Sequence, residues 1–250
     1  MGLYFKAEAL KIKHTFASKL AIMSPIFAML ISIFFAPMYF QLDCYNWLYA
    51  MILPGMLSLG CTLVANKDLK MKNRAVLSLP VDLKKVWISK VLVCSTILAV
   101  ACIILFLGSS LIEAVLGLNK MGRIPFLNAL IGCEVLVVTF LWQIPLCLFL
   151  GNKIGMFPTI LINIVAYMIF GVLCAPKSVL WLIPYAIPAR LMVPIIGVLP
   201  NGLPAVQGAP TFTPQVLSNS VILPGILITI ALFIILTIVT AKWYEGQEAK

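Results

Sequence analysis

The sequence predicts an all-α integral membrane protein of six transmembrane helices, with an N-terminal interfacial helix and a re-entrant or interfacial segment before the last span. Three observations predict it. Hydrophobic residues make up 62% of the 250, charged ones 10%, far from the roughly 45–50% and about 25% of a soluble domain. The apolar residues gather into six windows of near-bilayer length. The basic residues gather between those windows, mostly on one side.

In chain order, residues 1–19 come first, with Phe5, Ala9, Ile12 and Phe16 at helical spacing and Lys6, Lys11 and Lys13 elsewhere on the wheel. That pattern fits a helix lying on the cytoplasmic leaflet, or a basic tail that sets topology. The windows are 20–40, 45–65, 91–112, 126–150, 158–175 and 220–241, each close to the roughly 20 residues that cross about 30 Å of hydrocarbon. The first follows a basic stretch but lacks a small-residue cleavage site, so it is retained rather than removed as a signal.

Between the second and third windows, 66–90 is a cytoplasmic loop with seven Lys/Arg, among them Lys67, Lys70, Lys72 and Arg74. It serves either as a docking surface or as a solvated positive loop. Ser78 to Asp82 supplies a helix start, with Pro80 suited to a first turn, and that helix continues through Trp87 into the third span. The outer segment 176–219 is rich in proline. Pro184, Pro188 and Pro194 interrupt the apolar stretch 178–199, since each removes a backbone donor and clashes with the preceding turn. Asn201-Gly202 then makes a turn.

Fourteen of the eighteen Lys/Arg fall in the N-terminal stretch, the 66–90 loop, the 151–157 connection and the C-terminal tail. The other side holds Lys120, Arg123, Lys177 and Arg190. The excess of basic residues marks the cytoplasmic side, so both termini are expected there. Tyr39, Tyr45, Trp47 and Trp181 are expected at one membrane interface, and Trp87, Trp243 and Tyr244 at the other. Topology and anionic lipids account for the net charge of +10, and nucleic-acid binding is not expected.

No G-x-x-x-x-G-K-[ST] occurs, so the chain has no P-loop for nucleotide phosphates. The single His14 cannot build a histidine-rich metal site, and the seven cysteines show no C-x-x-C. No cofactor is expected on this chain. Glu134 is the only formal charge inside the six windows. It lies eight residues past Phe126, about 12 Å along the helix, where a charged carboxylate costs on the order of 2.5–3.5 kcal/mol. It is therefore expected protonated or paired, with Asn163 and Arg190 as candidate partners. It either faces a translocation path or subunit interface, or bridges helices as a neutral carboxyl.

Several stretches carry a resemblance: Lys6–Glu8, Tyr45–Trp47, Leu53–Gly55, Arg74–Trp87 with its Leu-Ser-Leu-Pro, and Pro184–Gly202. In these the chain resembles type-2 ABC exporter permeases, and more narrowly the permease subunits of lantibiotic-immunity ABC transporters (the MutE/EpiE group). The resemblance implies a bacterial plasma-membrane subunit that pairs with a second permease and with a cytoplasmic ABC ATPase, which uses the ATP. It implies expulsion of membrane-inserted antimicrobial peptides. It also implies that Lys67, Lys70, Lys72, Arg74, Leu79 and Pro80 contact the ATPase. Pro184, Tyr185, Arg190, Pro194, Asn201 and Gly202 would belong to a cap over the exit path. An exporter of another amphipathic substrate has the same architecture. A membrane enzyme is disfavoured by the single intramembrane acid, and a secondary transporter by the otherwise clean spans.

Overall fold

The computed structural model describes residues 1–69, 81–118 and 122–247, the side chains of 68 and 69 excepted. Lys70, Lys72, Arg74, Leu79 and Pro80 lie outside the described residues. The helices are α1 Gly2–Ile12, α2 Phe16–Phe35, α3 Phe40–Trp47, α4 Leu53–Leu69, α5 Leu83–Leu116, α6 Phe126–Phe140, α7 Gln143–Ile154, α8 Met156–Ala166, α9 Ile187–Ile196 and α10 Ile222–Glu245. Among the described residues there is no strand, only an isolated bridge between Val198 and Pro204.

The helices join into longer rods. A π-helical turn, Leu48–Ile52, fuses α3 to α4, and another, Tyr167–Val172, extends α8. Five rods are long and apolar enough to cross a membrane: Phe16–Phe35, Pro37–Lys67, Leu83–Leu116, Phe126–Ile154 and Asn219–Glu245. The sequence predicts six. Met156–Val172 is the shorter one, about 26 Å at 1.5 Å per residue.

Local chemistry explains where the rods bend. Pro54 has no N–H for the Ala50 carbonyl, and the π turn ends just before it. Pro145 likewise leaves the Leu141 carbonyl without its fourth-residue donor, and the chain bends at Leu141–Trp142, with Ile144 N–H bonding Leu141 O at 3.1 Å instead. At the head of α5, the Asp82 carboxylate accepts from the Lys85 backbone N–H at 3.2 Å. Its hydrogen bond with the Lys85 side chain holds that carboxyl below the usual carboxylate range. The helix start thus falls at the end of the predicted cap segment, and α5 runs unbroken for 34 residues, about 51 Å. The first connection sits earlier than expected. The chain turns at Ala36, so Cys44 lies buried within α3 rather than in a loop.

Side-chain contacts define two ends. At one, Trp87 of α5 packs against Tyr244 and Trp243 of α10, with ring centroids 4.9 and 5.7 Å away. Lys84 pairs with Glu245 at 2.9 Å, and Lys153 of α7 stands over the Trp243 ring. At the other, Arg123 pairs with Glu113, the Ile124 N–H bonds Gln41 Oε1 at 3.1 Å, and α9 packs on α6.

The aromatic rings need a correction. Tyr45, Trp87 and Tyr244 are buried inside the bundle, not arrayed at the lipid interface. The polar tips of two of them find protein acceptors: Tyr45 Oη donates to the Ala129 carbonyl at 2.8 Å, and Trp87 Nε1 to Thr240 Oγ1 at 2.9 Å. Thr240→Val keeps the shape and strands a buried indole N–H, so it is expected to destabilise the protein by about 1–3 kcal/mol. Thermal unfolding of the purified variant in detergent checks this; an unchanged midpoint would show that the bond contributes nothing.

The N-terminal helix is more than a surface float. α1 lies along α5, with Leu3 and Leu10 exposed and Glu8 and Ile12 buried. Glu8 Oε2 accepts from Lys90 Nζ at 3.1 Å and Oε1 from Lys11 Nζ at 2.6 Å. Lys90 is 2% exposed.

Candidate functional site

The largest concentration of buried polar groups lies where the two π-helical turns pack against each other. Asn163 of α8 is 1% exposed and stands at the centre. Its Nδ2 donates to the Pro54 carbonyl at 2.9 Å and to Gln143 Oε1 at 3.1 Å, while its Oδ1 accepts from Tyr185 Oη at 3.0 Å. Three rods and the proline-rich segment therefore meet on one amide. Each partner is delivered by an irregularity: Pro54 by the end of a π turn, Gln143 by the break at the α6–α7 junction, and Tyr185 by the coil leading into α9.

Aromatic rings wall this hub. Trp142 meets Tyr185 edge-on at 4.7 Å, and Phe140 stacks on Tyr167 at 5.5 Å. Gly171 lies so close that a Cβ there would stand 2.8 Å from the Tyr167 ring. Four further buried polar atoms have no hydrogen-bond partner among the described residues: Tyr49 Oη, Trp142 Nε1, Gln143 Nε2 and Tyr167 Oη. All four can donate, and the two tyrosine hydroxyls can also accept. Burial pushes the Tyr185 phenol above its ordinary value. No carboxylate, imidazole or ammonium takes part in the hub's hydrogen bonds.

The structure does not bring Glu134 to either expected partner. Asn163 is engaged in the hub, and the Arg190 guanidinium donates to the backbone carbonyls of Val216 and of Gln215, the latter at 2.9 Å. Glu134 instead sits on the exposed side of α6, in a stripe with Leu127 and Ile131. It points out of the bundle.

The proline-rich segment divides in two. α9 is short and almost entirely buried, with Pro188 in its first turn and Pro194 in its last, and it ends at Gly197 in the left-handed region. Ten residues reach about 15 Å, too little to cross a bilayer. Asn128 of α6 donates to the Ile195 carbonyl at 2.7 Å and fixes α9 against the bundle. Beyond it, Val193, Leu199 and Val216 form a small separate core. Asn201 and Gly202 make the expected turn; Asn201 Oδ1 accepts from the Leu203 N–H at 3.2 Å. Gly202, at φ +85°, packs on Asn46, where a Cβ would come within 2.7 Å of the amide nitrogen. Two stretches that carry the family resemblance thus touch. Pro184 is half-buried beside Tyr185.

Lys67, the one described member of the basic docking set, is exposed at the end of α4. It borders a cavity of about 420 Å³ shared with Thr15, Phe16, Asn66 and Met156. Sequence reasoning missed the Glu8–Lys90 pair, although Glu8 is the only acid before Asp43. It also missed Gln143, the one strictly polar side chain beside a proline in the fourth window, as Asn163's partner. Compared with known proteins, the chain matches no family model, no curated protein and no solved structure.

Proposed function

We propose that this chain is the permease subunit of an ABC exporter that removes lantibiotic or similar antimicrobial peptides from a bacterial plasma membrane. A second permease completes the pore, and a separate cytoplasmic ATPase drives it. On this reading Met156–Val172 is a sixth crossing that thins the bilayer slightly, both termini are cytoplasmic, and α9 is re-entrant from the outer side. The resemblance of the motif stretches supplies the substrate and the engine.

The observation that carries the reading of this chain as one half of an assembly is Glu134. An acid about 12 Å along a membrane helix, facing away from its own bundle, is costly against lipid. A second subunit laid against Leu127, Ile131 and Glu134 offsets that cost with a hydrogen bond. The paired π turns at the hub support a moving part, since such turns shift register at low cost and collect at functional sites.

The test is cross-linking and co-purification in the native membrane. Cysteine at Ile131 is expected to cross-link to the partner permease, and Glu134→Leu to lower recovery of that partner about tenfold, by loss of an intramembrane hydrogen bond worth about 1–2 kcal/mol. Susceptibility to lantibiotics should rise in parallel. If the Ile131 cysteine labels only with lipid-soluble reagents and Glu134→Leu leaves resistance intact, the assembly reading is wrong.

A further inference from the structure

At the Arg190 end, a cavity of about 290 Å³ opens between Lys177, Trp181, Arg190, Gln215, Ser218 and Ser220. Three features make it electropositive. The Arg190 side chain is buried, the residue 5% exposed, and its guanidinium bonds only neutral carbonyls. Lys177 stands at the rim. The N-terminus of α10, 24 residues long, begins at the cavity's edge after Val221 and adds the partial positive charge of its first turn.

Nothing nearby neutralises this. The sequence contains no Asp or Glu between Glu134 and Glu245. Among the described residues neither Arg190 nor Lys177 forms an ion pair. A role as a clip on the 215–216 backbone accounts for two of the five guanidinium N–H groups and leaves the charge uncompensated. Hydroxyls of Ser218 and Ser220 complete a donor-rich wall.

We infer that this cavity binds a phosphate group, and that the phosphate is the headgroup of an anionic phospholipid in the leaflet at that end. Arg and Lys with hydroxyl donors match phosphate chemistry, and the volume suits a headgroup with its glycerol rather than a whole lipid. The surroundings favour lipid over free phosphate. Val179, Leu180, Leu217 and Leu223, each within two positions of a residue that lines the cavity, are exposed and offer apolar surface to acyl chains. Trp181 and Lys177 are the side-chain types that anchor at the headgroup level. The inference rests on the membrane location of the helices and not on the transport reading.

Native mass spectrometry of the full chain tests it, with micelles doped with phosphatidylglycerol, with diacylglycerol, or with inorganic phosphate alone. One phosphatidylglycerol is expected to stay bound where diacylglycerol does not. Lys177→Gln, an exposed change that spares the fold, is expected to weaken retention about fivefold. Arg190→Lys, which keeps the charge and loses the fork, should weaken it further, and excess phosphatidylglycerol should restore occupancy. Equal retention of the two lipids, or no effect of Lys177→Gln, overturns the site. Displacement by equimolar inorganic phosphate overturns the lipid assignment and identifies a soluble phosphate ligand instead.

Discussion

Replacing Glu8 by leucine is expected to release α1 from the bundle, the largest effect of any single change at the Trp87 end. Lys90 is 2% exposed and the Glu8 side chain 5%, so their pair is dry. Removing one member of such a pair costs up to about 3–5 kcal/mol, and Glu8 is the carboxylate that both Lys90 and Lys11 meet. The second cation makes the outcome asymmetric. With Lys90→Met, Glu8 keeps Lys11 at 2.6 Å, and Lys11 is a third exposed, so the loss is expected to be smaller. The double change Glu8→Leu with Lys90→Met removes both buried charges and is expected to restore most of the stability.

The readout is local. Ile12 is buried on α1 and the seven native cysteines are buried as well, so a cysteine at Ile12 reports detachment almost alone. Its maleimide labelling should quicken on the order of 10²–10³-fold in the Glu8→Leu background, following the tenfold per 1.36 kcal/mol relation. Labelling in the order Glu8→Leu, then Lys90→Met, then the double variant supports the dry pair. If all three label alike, the ion pair is decorative and α1 is held by its apolar contacts.

That pair shows where sequence reading stops in such a chain. Five of the windows, the cap at Asp82, the interruption of the 178–199 stretch and the Asn201-Gly202 turn were legible because each depends on neighbours a few residues away, whereas the irregularities before Pro54 and Pro145 were not read. Glu8 and Lys90 are 82 positions apart, and nothing local says that α1 folds back along α5. Direction around a helix was equally hidden. In water, polar and apolar faces separate, but here the lipid face and the packed face of α6 are both apolar, so periodicity could not show that Glu134 looks outward. Opposite charge and similar depth suggested Arg190 as its partner, yet backbone carbonyls took the guanidinium instead. Three of the seven aromatic rings expected at the interfaces, Tyr45, Trp87 and Tyr244, turned inward for a related reason. Their position at helix ends was readable, but whether they turned to lipid or inward depended on acceptors such as Thr240, 153 residues from Trp87.

Asn163 is the position where the hub makes its sharpest prediction. Leucine there has the same number and branching of side-chain heavy atoms, so the change is chiefly the loss of three hydrogen bonds. The Pro54 carbonyl keeps a donor, the Ser58 hydroxyl at 2.7 Å. Gln143 and Tyr185 have no such reserve. Gln143 Nε2 already lacks a partner, so without Asn163 the whole amide has no hydrogen bond in this geometry. Membrane hydrogen bonds average only about 0.6 kcal/mol because alternative partners are usually at hand. Here the unpartnered groups nearby do not reach the freed atoms in this geometry, so the fuller penalty of about 1–3 kcal/mol per stranded group applies. Asn163→Leu is expected to cost about 2–4 kcal/mol, a fall of roughly 5–15 °C in the unfolding midpoint for a protein of this size. Tyr185→Phe should cost about 1 kcal/mol alone and much less on top of Asn163→Leu, since the two changes remove the same bond. Asn163→Asp, as a neutral carboxyl, keeps an acceptor for Tyr185 Oη and one O–H donor for Gln143 or Pro54, and is expected to be tolerated better than leucine. Equal midpoints for the leucine and aspartate variants, or strict additivity with Tyr185→Phe, would mean that packing of the aromatic rings, rather than the amide network, holds the two π-helical turns together.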